Sequence, residues 1–334
     1  MKNYLLIIVA LVAFSTTSFA QLFGKHGDGE TLTYSDLNAN TGGGFIRGDL
    51  GILDMGISKT FMMSLDPQIT ALYKNFYAKL EYTMTYVDLN LASDPILASS
   101  VNGDLKKKNF EFLAGYYFRN EKEGKIPITL KSENIGSRIT LNTITHVDAN
   151  YEWFVGPEAG MATGYNLLHV DGKFDVEQLS AKNVWVKTTT PGDVGNSHFT
   201  TMQDYTFLNI GAAFGTITDV SATFSEYGEK SNRAFLKYYV NIIIPMRNNI
   251  DDIFWTTKAN TNNSAYTIPA YSTRYRLDNT VPKSGLGWRI GAEVHYFSVF
   301  SLGAELAVLP GISQDTFDNV YATVKCRIGI PYRF

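Results

Sequence analysis

The last fifteen residues, Val320 to Phe334, constrain the fold more than any other stretch. Every second side chain, from Phe334 back through Tyr332, Ile330, Ile328, Cys326, Val324 and Ala322 to Val320, is apolar or small. The intervening ones are Arg333, Pro331, Gly329, Arg327, Lys325, Thr323 and Tyr321. Successive side chains of a β-strand point to opposite faces, so this stretch reads as a strand with one face in an apolar phase and three cations on the other. A sandwich strand can alternate in the same way, but here the pattern continues to the final residue, which is aromatic.

This ending resembles the terminal strand of Gram-negative outer-membrane β-barrel proteins, the porin-like and small-barrel families, whose chains finish on Phe with an aromatic two residues earlier. Here those residues are Phe334 and Tyr332. The resemblance implies an all-β fold, an antiparallel transmembrane β-barrel in the outer membrane, and outer-membrane lipid around it. It also implies that Tyr332 and Phe334 form the signal read by the barrel-assembly machinery.

The other end of the chain agrees with export. Lys2 and Asn3 precede an apolar run from Tyr4 to Phe14, then small and hydroxylated residues up to Ala20. A charged start, a short apolar core and a small-residue cleavage site describe a signal peptide, and the run is shorter than the ~20 residues a helix needs to span hydrocarbon. Cleavage after Ala20 divides the chain into a signal peptide (1–20), a polar, glycine-rich leader (21–44) and a transmembrane barrel (45–334). The leader is expected in the periplasm or tucked into the lumen.

From Phe45 the pattern is strand and turn. The clearest two-residue period has Ala78, Leu80, Tyr82, Met84 and Tyr86 alternating with Tyr77, Lys79, Glu81, Thr83 and Thr85. Long polar stretches at about 88–108, 163–197 and 245–283 read as loops, and Asp66-Pro67 reads as a break. Counting 199–227 as one strand gives about twelve strands, with ten and fourteen as the alternatives. Twelve puts all three long loops on one side and the short turns on the other, as such barrels require.

The strand phases assign a set of charges to the lumen: Lys79, Glu81, Glu111, Arg119, Arg233, Lys237, Arg289, Glu293, Glu305, Lys325 and Arg327, with Arg333 beyond them. The plainer reading of this set is a ladder of ion pairs filling a modest interior; the sharper one is a narrow pore with mild anion preference. The primary functional expectation is a narrow passive channel for small polar solutes. A closed barrel acting as a scaffold or accessory subunit of an outer-membrane complex, with membrane-complex partners, is the alternative. A lipid-modifying enzyme comes third, since His295 and His146 fall on the lumen phase.

No catalytic residue is assigned, because there is no G-x-S-x-G and no H-E-x-x-H. No cofactor or metal is called for either: the chain has no P-loop and no Rossmann fingerprint. Its single cysteine, Cys326, allows no internal disulfide. The formal charge of −3, or −3 − 1 = −4 once Lys2 is removed, suggests no nucleic-acid partner. Aromatics among amides and cations in the third loop (Trp255, Tyr266, Tyr271 and Tyr275 with Asn262, Asn263, Arg274 and Arg276) suit either a capping loop or a partner-binding one.

Overall fold

The structure, a computed structural model, describes residues 33–57, 60–90, 108–135, 139–171, 175–179, 185–189, 198–250, 253–256, 272–277, 285–297, 299–310 and 320–334. The expected signal peptide, the leader up to residue 32, Asn262, Asn263, Tyr266 and Tyr271 lie outside the described residues.

Among the described residues the strands are β1 (Tyr34–Ala39), β2 (Phe45–Ile57), β3 (Thr60–Tyr73), β4 (Phe76–Asn90), β5 (Lys108–Tyr116), β6 (Phe118–Ile135), β7 (Ile139–Asp171) and β8 (Asp175–Leu179). They continue with β9 (Trp185–Thr189), β10 (His198–Phe224), β11 (Gly228–Ile250), β12 (Ile253–Thr256), β13 (Ser272–Leu277), β14 (Gly287–Tyr296), β15 (Phe300–Val308) and β16 (Val320–Arg333). Ten of these close into an all-antiparallel barrel: β2, β3, β4, β5, β7, β10, β11, β14, β15 and β16, the last pairing back on to β2. At the closing seam Arg333 lies opposite Phe45, and Gly44 and Phe334 exchange backbone hydrogen bonds of 3.0 and 3.2 Å.

The expected twelve strands are therefore corrected to ten, for two reasons. Residues 126–130 belong to β6, which pairs with β7 but lies outside the wall. Residues 139–147 and 151–161 are one strand rather than two, because Asp148, Ala149 and Asn150 stay extended opposite Lys125, Gly124 and Glu123. Asp66-Pro67 is not a break either. It lies inside β3, at the point where the β3–β4 ladder skips from Leu65–Met84 to Gln68–Glu81 and no N–H is needed from the proline.

Two ends of the barrel follow from the connections. The terminal end gathers Phe45, Phe334, the two-residue turn at Lys74-Asn75, the turn at 225–227 and the facing ends of β14 and β15. The loop end receives the long connections, and parts of two of them form a separate four-stranded sheet in the order β12-β13-β8-β9. Past the barrel at the terminal end, β6 and the first half of β7 make an arm. Its Ile126, Ile128, Leu130, Val147 and Ala149 pack on Val220, Ala222 and Phe224 of β10. The described part of the leader forms β1, which adds to the same end of β10 with Tyr34 against Phe224 and Asn40 anchored to Asp219. Residues 40–44 run from there across the terminal end to the seam, with Asn40 bonded to Asp219, Gly42 to Glu152, Gly43 to Arg119 and Gly44 to Phe334.

The wall is apolar outside and polar within. Outward positions include Leu50, Ile69, Phe112, Ile210, Val240, Ile290, Leu302 and Ile330, all exposed. Throughout the outward rows 46–50, 65–73, 76–84, 110–116, 153–165, 206–218, 234–246, 288–296, 300–308 and 322–334, no acidic or basic side chain occurs. Inward positions of β10, β14, β15 and β16 mix bulky residues with glycine. A Cβ on Gly291 would lie 2.4 Å from the Tyr239 ring and hydroxyl, and one on Gly329 would lie 2.2 Å from an Asp49 carboxylate oxygen. The Tyr239 ring and the Asp49 carboxylate thus each lie over a neighbouring strand that has no side chain at that point.

Substitution Gly291→Leu is expected to destabilise the barrel by about 1–3 kcal/mol through overpacking. Gly48→Ala, at an outward site with open space around it, is expected to be neutral. Urea unfolding of the refolded protein in detergent measures both.

Candidate functional site

Three layers fill the barrel interior. Nearest the terminal end is an aromatic floor: Phe45, Tyr77, Tyr117, Phe154, Phe235 and Tyr239, with Leu72, Leu113, Ala213 and Ile217, all buried. Their rings run from one wall to the other. Tyr77 stacks on Tyr117 at 5.1 Å, Tyr117 on Phe154 at 4.7 Å, Phe154 on Phe235 at 5.2 Å, and Phe235 meets Phe45 at 5.2 Å. Ring pairs at such spacings add to the gain from burial. Near the loop end, Tyr205, Phe207 and Ile243 pack with Ala162 and Leu309, and Gln203 donates to the carbonyl of Pro310 at 2.7 Å.

Between these layers lies the polar middle. Asp49 accepts from Arg47 at 2.8 Å and from Ser301 at 3.0 Å. Lys79 lies 3.0 Å from Glu81, 3.5 Å from Glu111 and 3.4 Å from Glu293. Arg289 pairs with Glu111 and lies 3.7 Å from Glu305, which also accepts from the Tyr239 hydroxyl at 2.7 Å. Arg327 holds Asp66 at 2.6 Å and reaches Glu81 at 3.6 Å, while Lys325 pairs with Glu81. On the other wall Lys237 pairs with Glu158 at 2.7 Å and sits 4.2 Å over the Tyr77 ring, and Asn241 and Tyr117 complete the Glu158 carboxylate at 3.1 Å each. The floor therefore hydrogen-bonds upward into the network through Tyr117, as does Tyr239.

Lys79, Glu81, Glu111, Lys237, Arg289, Glu293 and Arg327 are brought together in this network, each exposing 6% of its surface or less. Lys325 and Glu305 belong to it but keep side-chain exposures of 17% and 19%. Arg119, Arg233 and Arg333 do not. They lie at the terminal end below the floor, where Arg119 pairs with Glu152 at 2.5 Å and donates to the carbonyls of Lys74 and Gly43, and Arg233 and Arg333 converge on Asp219.

Sequence reading missed Asp66, because Asp-Pro reads as a turn, and Glu158, because Pro157 obscures the phase of β7. It passed over Arg47 and Asp49, although their alternation with Ile46, Gly48 and Leu50 carries the signal. Among the described residues no cluster of His, Cys, Asp and Glu is arranged to hold a metal ion. His295 has no exposed surface, and Ser301 bonds to Asp49 rather than to it. Tyr332 and Phe334 line the terminal rim, their rings 6.2 Å apart, with Phe334 5.8 Å from Tyr73.

No family model matches the sequence, and no curated protein matches it. Among solved structures, a TodX ΔS2S3 mutant monoaromatic hydrocarbon channel is similar over 88% of this chain and 90% of its own, at 8% identity and a TM-score of 0.17. A likeness at that level carries no argument about function. The ten-stranded closed barrel and its contents carry it instead.

Removing one partner of a buried ion pair strands the other charge away from water. Arg327→Met is therefore expected to cost about 3–5 kcal/mol. Pairing it with Asp66→Leu is expected to return a large part of that, and urea unfolding of the single and double variants measures the coupling.

Proposed function

We propose that this chain is an integral outer-membrane barrel whose interior is sealed, and that it serves as a membrane-held scaffold or accessory subunit rather than as an open pore. The observation that carries this reading is the dryness of the interior: a water-filled path would leave its lining exposed, yet Arg47, Lys237, His295 and Arg327 have no exposed surface and the aromatic floor crosses below them. Barrels of about eight strands are just wide enough for side chains to fill, and wide aqueous channels come with sixteen or more. Ten strands stand near the filled limit.

The uncharged outward rows support a hydrocarbon surround. The wall strands β5, β14 and β15, of 9 or 10 residues, match the ~9–11 residues a tilted strand needs to cross a bilayer. Aromatic residues at the terminal rim, among them Tyr73, Phe76, Tyr116, Phe118, Tyr332 and Phe334, suit an interfacial girdle. Cleavage after Ala20 and recognition of Tyr332 and Phe334 by the assembly machinery belong to the same reading. The arm, β1 and the four-stranded loop sheet then supply surfaces on the two sides of the membrane for partners in a complex. A second reading, a narrow passive channel for small polar solutes, has one observation in its favour: the middle layer is polar from wall to wall, so a displaced floor would uncover a hydrophilic path.

Planar-bilayer recording of the refolded mature protein distinguishes the two. The sealed scaffold predicts silence after demonstrated insertion, whereas steady openings would favour the channel. The membrane location predicts that Val240→Arg, on the outward face, costs about 2–4 kcal/mol in lipid. Glu123→Arg, on the exposed face of the arm, is expected to stay within about 0.5 kcal/mol of zero. Equal effects at the two sites would count against a hydrocarbon surround.

A further inference from the structure

Residues 40–44 form a strap across the terminal mouth, and every one of them is tied down. Asn40 donates from its backbone to the Asp219 carbonyl at 2.9 Å and from its side chain to the Asp219 carboxylate at 3.0 Å. Thr41 donates to Glu121 at 2.6 Å, the Gly42 N–H donates to Glu152, and the Gly43 carbonyl accepts from Arg119 at 2.9 Å. Gly44 ends the run by exchanging backbone hydrogen bonds with Phe334. The anchors thus come from β10, β6, β7 and the last residue of the chain.

The path is a short cut. β1 takes the place beside β10 that β7 leaves past Glu152, so from β1 to β2 the wall turns by way of β5, β4 and β3. Four strand spacings come to ~19 Å, whereas the four steps from Asn40 to Gly44 reach ~14 Å at most. The segment therefore crosses the mouth instead of following the rim. Glycine makes the crossing possible: Gly42 has φ +78°, and a Cβ on Gly44 would lie 2.6 Å from the Leu72 carbonyl oxygen and 2.7 Å from the Phe334 ring. Next comes Phe45, whose ring belongs to the floor, 5.2 Å from Phe235 and 5.0 Å from Phe297. Whatever moves the strap moves a floor ring.

The weaker attachment is at β1. All six of its residues are exposed, its ladder with β10 breaks between Ser35 and Asn38, and Asp36 sits at φ 50°. β10 does not depend on it, since the same residues, Val220 to Phe224, pair on their other side with Asn232 to Gly228 of β11. Segments with few buried contacts and exposed hydrogen bonds open first. We propose that the strap is an autoinhibitory stay: docked through β1 on β10 it holds Phe45 in the floor and keeps the barrel sealed, and when β1 is drawn off β10 the floor loosens and the polar middle opens to water. The inference rests on the sealed-barrel reading and adds its means of release.

Amide hydrogen exchange of the full mature protein in micelles, read beside planar-bilayer recording, tests it on two variants. Asn40→Ala with Arg119→Gln removes anchors of the strap. A short run of glycines inserted between Gly42 and Gly43 slackens it with every side chain kept, and carries the test if the first variant does not insert. Exchange about tenfold faster over residues 34–44 is expected in both variants, with channel openings in both while the wild type stays silent. Faster exchange with continued silence would overturn the hold of the strap on the floor. Unchanged exchange would overturn its release. Openings in the wild type would instead overturn the sealed barrel itself.

Discussion

Everything inside this barrel depends on the cost of holding charge away from water. The register of the wall places Glu81 of β4 directly opposite Glu111 of β5, a cross-strand pair of like charges that would destabilise an isolated sheet. What makes the pairing tolerable is the curvature of a closed wall, which lets cations from distant strands reach between them. Lys79 lies within 3.5 Å of both, Lys325 comes to Glu81 from β16, and Arg289 comes to Glu111 from β14. The network can exist only when the barrel is closed, and the closed barrel can be dry only because the network is there.

Glycine and aromatic residues divide the remaining labour. Inward side chains such as those of Tyr239 and Asp49 cross over glycines of the adjoining strands, so the interior of a ten-stranded wall fills without forcing the strands apart. The floor adds a second function to this packing, because Tyr117 and Tyr239 present rings to the apolar layer and hydroxyls to Glu158 and Glu305. Apolar floor and charged middle are thereby stitched into one unit, with the wall carrying elements at both of its ends.

The barrel was legible in the chain because a strand with one apolar and one polar face writes a period of two into the sequence, and Val320 to Phe334 or Tyr77 to Tyr86 show it without interruption. The strand number was less legible. Nothing in the residues from Asp148 to Asn150 separates a turn from an extended stretch held by a partner strand, and that partner, β6, is apolar enough to pass for wall. Inward charges followed from phase wherever the phase was clean, as at Lys79, Glu81 and Arg327. They were lost beside Pro67 and Pro157, where a proline suggests an ending but sits on the outward face of a continuous strand. Arg119 and Arg233 share the inward phase yet lie past the floor, because phase reports a side and not a depth.

The arm between β5 and β7 bears on how the barrel comes together. Nearly every other wall pairing joins strands that follow one another along the chain, so it can zip from a turn or loop. β5 instead pairs with the far half of β7, from Gly115 opposite Glu158 to Lys108 opposite Tyr165, across the whole excursion through β6. Local pairing of β6 with the near half of β7 brings those distant residues close and spares the wall most of the entropy of closing so long a loop. The arm is thus placed to act as an internal nucleus, and shortening it would be felt first in the rate at which the wall closes.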